Sequence, residues 1–102
     1  DYDTSLLIGK KMDLQSTVRA LDASAQKLSP SEAFDAESME AMLRPLAAEL
    51  ELKTGQLFGA LRVATTGRAA APPLFQTMAV LGKERCLRRI EAALDKLHKL
   101  SS

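Results

Sequence analysis

The sequence predicts an all-α fold, a compact cluster of about five short helices, and three observations predict it. Hydrophobic residues make up 46% of the 102 residues but aromatics only 4%. Aliphatic Leu, Ala, Val and Met must therefore fill the interior, and with few β-branched residues that composition favours helices over sheets. The apolar positions recur every three or four residues, with no alternating strand pattern. Glycines and prolines fall between the periodic stretches, where helices stop and start.

The first helix is expected after Asp13, whose carboxylate suits an N-cap, with Leu14, Val18, Leu21, Ala25 and Leu28 at helical spacing. Ser29-Pro30-Ser31-Glu32 resembles a fresh start, with proline at the first helical position and Ser/Glu spaced as a capping box. Asp35 offers another cap ahead of Met39, Leu43, Leu46 and Leu50, and Pro45 inside that stretch is expected to kink it. Gly55 is read as the end of this part, and Gln56 to Thr66 as the next helix, stopped by Gly67 in a left-handed conformation. Arg68-Ala69-Ala70-Ala71-Pro72-Pro73 forms a loop stiffened by its two prolines. A short helix over Leu74–Leu81 then ends at Gly82, and the last runs from about Lys83 to Lys99 with Leu87, Ile90, Leu94 and Leu97 inward. Phe34, Phe58, Phe75 and the four methionines are assigned to the core, and Tyr2 to a frayed terminus.

The net charge of +1 conceals two unlike halves. Residues 1–52 hold five Lys/Arg against ten acids, and residues 53–102 hold nine against three, so the halves carry −5 and +6. A basic second half either faces a polyanion or is a solvated surface paired with the acidic half. No catalytic set can be assembled. His98 has no Cys or carboxylate at ligand spacing, which argues against a metal, and its place in a last helical turn suits the helix dipole. Cys86 stands among Arg85, Arg88 and Arg89 but also close to the apolar stripe, so a buried inert thiol is expected. Thr66-Gly67-Arg68 lacks the spacing of a phosphate loop. No apolar run approaches the roughly 20 residues of a membrane span, and a lone cysteine is compatible with a reducing cytoplasmic setting. A chain that opens on Asp1 is read as a piece of a longer protein.

Leu61-Arg62-Val63-Ala64-Thr65-Thr66-Gly67, then Pro72-Pro73-Leu74-Phe75, then Leu81-Gly82-Lys83-Glu84-Arg85 resemble, in that order, the end of bacterial glutamate–tRNA ligases. Leu6-Leu7-Ile8 and Lys10-Lys11-Met12-Asp13-Leu14 are similar too, as is the acidic helix ending near Leu52-Lys53, so the resemblance covers nearly the whole chain. It implies that residues 1–102 are a single C-terminal, all-helical anticodon-binding domain of a class I synthetase. Its partner would be the anticodon loop of glutamate tRNA. Catalysis, with ATP and Mg, would belong to the rest of the enzyme, with no cofactor here and no DNA or membrane partner. A monomer is expected.

The resemblance further implies that Arg62 reaches the anticodon, where a guanidinium can stack on a base or donate two hydrogen bonds to its edge. Ala71, Pro72 and Leu74 would contact the first two anticodon bases, largely through backbone groups and one apolar contact. The family pattern is broken at Ala71, where Ser or Thr is usual, at Ala60, where proline is common, and at Gly59, where a larger residue often stands. The competing reading of Arg62 is an ion pair with a nearby acid, and that of Leu74 is a core position. Arg68, Lys83, Arg85 and Arg89 are candidate RNA-backbone contacts, with Arg88 beside them; the alternative pairs the last-helix cations with Glu49, Glu51 and other acids. A helical protein-interaction module that docks through the apolar surface around Phe75 is the rival function. The loop before Pro73 is too long for a DNA-binding helix-turn-helix.

Overall fold

The computed structural model describes residues 4–9, 11–68 and 73–101, and the expectations for Tyr2, Ala71 and Pro72 lie outside them. A 3-10 turn, Thr4–Leu7, precedes five α-helices: α1 Leu14–Leu28, α2 Ala36–Glu49, α3 Thr54–Thr66, α4 Leu74–Leu81 and α5 Lys83–Ser101. The fold is all-α, with no strand among the described residues.

α1 starts where the sequence places it. The Asp13 carboxylate accepts from the Ser16 amide at 2.8 Å, and the Ser16 hydroxyl accepts from the Asp13 amide at 3.0 Å. The Ser16 amide first, and the Ser16 side chain after it, hold the Asp13 carboxyl below its usual pKa. Asp35 caps α2 likewise, accepting from the Ser38 amide at 3.0 Å. The expected new start at Ser29-Pro30 is not there, because α2 begins only at Ala36. The Ser31 carbonyl, which a helix begun at Pro30 would give to the amide four residues on, instead accepts from Lys83 Nζ at 2.6 Å. α2 then continues past Pro45, whose exposed ring faces water. The carbonyl of Ala41 that proline leaves without a helical donor lies at an exposed residue, where solvent can reach it.

The break after α2 lies at Glu51, not Gly55. The Leu52 amide donates to the Ala47 carbonyl at 2.9 Å and the Glu51 amide to that of Ala48 at 3.0 Å. This paired closure of a helix C-terminus needs a left-handed residue, and Glu51 supplies it at φ 60°. Gly55 falls inside α3, which starts at Thr54. Gly67 (φ 76°) ends α3 in the left-handed conformation, as read from the sequence.

α3 packs against the 3-10 turn and all four other α-helices. Leu57, Ala60, Leu61, Val63, Ala64 and Thr65 are its buried residues. Around them gather Leu21 and Leu28 of α1, Met39 and Leu43 of α2, Phe75 and Met78 of α4, and Ile90 and Leu97 of α5. Phe34, Phe58, Met12 and Met42 are half-buried at the edge of this core. On α5 the inward stripe is Cys86, Ile90, Ala93 and Leu97, with Leu87 and Leu94 half-buried beside it. The stripe is rotated from the expected one toward its smaller members. Cys86 and Ala93 occupy the centre, where neighbouring helices leave little room, and the leucines spread to the flank. Burial pushes the Cys86 thiol up to about 11, although Arg89 and Arg85 pull the other way. The expectation of an inert thiol is met.

Candidate nucleic-acid interface

Of the residues singled out in the sequence, Arg68 and Arg89 lie beside the C-terminal end of α3, the helix that carries Arg62. Arg62 lies on that helix one turn before its end. Its backbone carbonyl accepts from the Thr66 hydroxyl at 2.6 Å, and the Thr66 oxygen in turn accepts from the Arg68 amide at 3.2 Å. The side chain of Arg62 is half-buried, and its Nε is buried with no hydrogen-bond partner. No described acid pairs with Arg62, so the ion-pair alternative has no support among the described residues. A buried N–H left without an acceptor costs about 1–3 kcal/mol, and such a group calls for an explanation.

Leu74 opens α4 and is buried, at 4% exposure, so its side chain secures the start of that helix in the core. Phe75 is buried beside it, edge-on to Phe58 with ring centroids 4.9 Å apart. The Arg44 guanidinium covers the Phe58 ring at 5.5 Å and pairs with Glu40. Leu74 and Phe75, through which the rival protein-docking function would act, are therefore inside the molecule, while Val80 on the same helix is exposed. At Gly59 an added Cβ would meet nothing within 4 Å, so a larger side chain would find open space beside α3.

The cations of the second half divide into two groups. Lys83 donates to the Ser31 carbonyl and ties the start of α5 to the α1–α2 connection. Arg89 donates from Nη1 to the Thr65 carbonyl at 2.6 Å, capping the end of α3, where a cation meets the negative end of the helix dipole. Arg68, Arg85 and Arg88 are exposed. Glu49 and Glu51 pair with neither Arg85 nor Arg89. An open cleft of about 420 Å³ runs between the end of α3 and the face of α5 that carries Arg89, Ala92 and Lys96. Lys96 was not singled out in the sequence. Its spacing of seven residues from Arg89 places it on the same helical face, a signal that was there to be read. Among the described residues no three His, Cys, Asp or Glu side chains group to hold a metal, and no helix is long and apolar enough to cross a membrane.

An arginine presented by a central helix, next to a basic face, is a layout for reading nucleic acid, and comparison with known proteins gives it a class. Residues 1–94 match the anticodon binding domain, and the chain belongs to that family. The relatives it resembles are glutamate–tRNA ligases. It is 55% identical to that of Dehalococcoides mccartyi over 99% of this chain and 21% of the relative. Against that of Roseiflexus castenholzii the identity is 58% over 95% of this chain and 19% of the relative. For Chloroflexus aurantiacus the identity is 45% over 98% and 20%. The chain thus spans about one fifth of the length of these relatives.

Proposed function

We propose that residues 1–102 form a single domain that reads the anticodon of glutamate tRNA on behalf of a glutamate–tRNA ligase working in the cytoplasm. The observation that carries this reading is Arg62. It stands on the helix that packs against all the others in an anticodon-binding-domain fold, with a buried Nε that has no acceptor among the described residues. An unstacked base can meet the exposed end of that half-buried guanidinium with an acceptor edge or a π-face. The stretch Ala71-Pro72 would add backbone contacts to the first two anticodon bases. Leu74 is buried, so its side chain would anchor the start of α4 more than touch RNA. The domain itself would do no chemistry. ATP and Mg would act elsewhere in the enzyme, and the domain's contribution would be to hold the correct tRNA in register for that site.

The test is Arg62→Ala in the complete ligase. Loss of a stacked or bidentate base contact should lower kcat/KM for glutamate tRNA by about 1–3 kcal/mol of selection. KM for ATP and for glutamate should stay at the wild-type value. Unchanged tRNA kinetics would remove Arg62 from the interface.

A further inference from the structure

We propose that the cleft between the end of α3 and α5 is a seat for an RNA backbone phosphate, separate from the base-reading position of Arg62. The inference rests on the RNA-binding reading above and specifies where the backbone is held. The cleft is open and of about 420 Å³, and Arg68, Arg89 and Lys96 all contribute to its wall. Among the described residues that line it, none is acidic. Arg89 is held in place by its 2.6 Å bond to the Thr65 carbonyl, which occupies one of the guanidinium's five donors. The residue nonetheless remains exposed and lines the cleft, with four donors left for a ligand there. Ala92 lies between Arg89 and Lys96 on the helix face, and its small side chain leaves the floor of the cleft clear. On the opposite wall, the Arg68 amide is fixed to Thr66, which holds the base of that cation at the rim.

The geometry matches a phosphodiester better than a carboxylate ligand of fixed shape. The walls carry several cations set apart from one another, with no enclosed pocket to define a small molecule. Arg62 lies three and four residues before Thr65 and Thr66, roughly 5–6 Å along the axis of α3. A single strand with a base at Arg62 would therefore bring its own backbone near the cleft. Lys83 is not part of this seat, because it does not line the cleft.

The discriminating variant is Ala92→Glu, with Ala92→Gln as the neutral control of the same size. Ala92 is exposed, and a glutamate there would stand four residues before Lys96, a spacing that supports a helix. The variant should keep the wild-type thermal midpoint while placing a negative charge where the phosphate sits. Binding would be measured with two labelled hairpin RNAs, one carrying the glutamate anticodon loop and one the same loop with its three anticodon bases replaced. Titrations at several salt concentrations give the slope of log Kobs against log salt.

Ala92→Glu is expected to weaken both hairpins alike, by about tenfold at low salt, and to flatten the slope by about 0.7–0.9 for each phosphate no longer held. Ala92→Gln should change little. Arg62→Ala should weaken only the hairpin with the correct anticodon and leave the slope as it was. If Ala92→Glu binds both hairpins with the wild-type slope, the cleft holds no phosphate and Arg89 serves only to cap α3. If the wild-type chain binds neither hairpin at low salt, the RNA-binding reading fails and the phosphate seat fails with it.

Discussion

Replacing Arg62 by methionine should stabilise the fold and weaken RNA recognition, and the two effects have separate origins in the structure. Methionine keeps an unbranched apolar stem of similar reach, and its helix propensity is close to that of arginine. What disappears is the guanidinium, including the buried Nε that has no acceptor. An unsatisfied buried polar group costs about 1–3 kcal/mol, and the half-buried side chain gives back a part of this through interactions of its exposed end. A net gain of about 1 kcal/mol remains, which for a domain of this size raises the thermal midpoint by about 4–8 °C. On the proposed function the same change removes a base interaction worth about 1–3 kcal/mol and should lower affinity for the glutamate anticodon hairpin by about 5- to 150-fold. Thermal melts by circular dichroism beside hairpin titrations read both. A midpoint that falls by several degrees would refute the account of Nε as unsatisfied, because the guanidinium would then have been stabilising the fold. A raised midpoint with unchanged hairpin affinity would leave the orphan nitrogen intact as an observation and defeat its assignment to RNA.

Three further expectations concern the fold that presents this residue. Gly67→Ala places a Cβ on a residue at φ 76° and should cost about 1 kcal/mol, seen as a lower midpoint in the same melts; an unchanged midpoint would show that α3 can end another way. Glu51→Gly relieves a non-glycine residue at φ 60° and should stabilise the chain by about 0.5–1 kcal/mol in urea denaturation, partly offset by the extra freedom of the unfolded glycine. Stability should also decline between pH 9 and 11, where an unfolded chain gives up the Cys86 proton near 9.0 while the folded thiol holds it to about 11. In that window the unfolded state binds fewer protons, so rising pH favours it. Cys86→Ala should show a shallower decline, and an identical slope would mean that the buried thiol is not the group responsible.

Much of this architecture is legible in the chain where the controlling chemistry is local. Asp13 can reach the Ser16 amide within one turn, and Gly67 can adopt a left-handed conformation whatever surrounds it, so both helix ends follow from the residues themselves. The misplaced boundaries have distant or unusual causes. Ser29-Pro30-Ser31-Glu32 carries every local mark of a helix start, but Lys83, 52 residues away, takes the Ser31 carbonyl. Glu51 ends α2 in a conformation that its residue type does not advertise, and Gly55, the conspicuous breaker nearby, lies inside a helix. The site divides in the same way. Arg62 stands out through family likeness, but its partnerless Nε is a property of packing. Helical spacing on α5 places Arg85, Arg89 and Lys96 on one face. Only the folded chain separates Lys83, spent on a loop, from Arg89, set at the edge of a cleft.

The position of α3, touching the 3-10 turn and every other α-helix, bears on how the domain moves. A helix packed against every other helix opens only when several neighbours separate together. In hydrogen exchange the amides of Leu57 to Ala64 should accordingly be among the slowest in the chain and respond to denaturant with the slope of global unfolding. Arg62 is thus mounted on the least yielding backbone in the molecule. A bound RNA would adapt its loop to that arginine, and little of the binding free energy would be consumed in ordering the protein side.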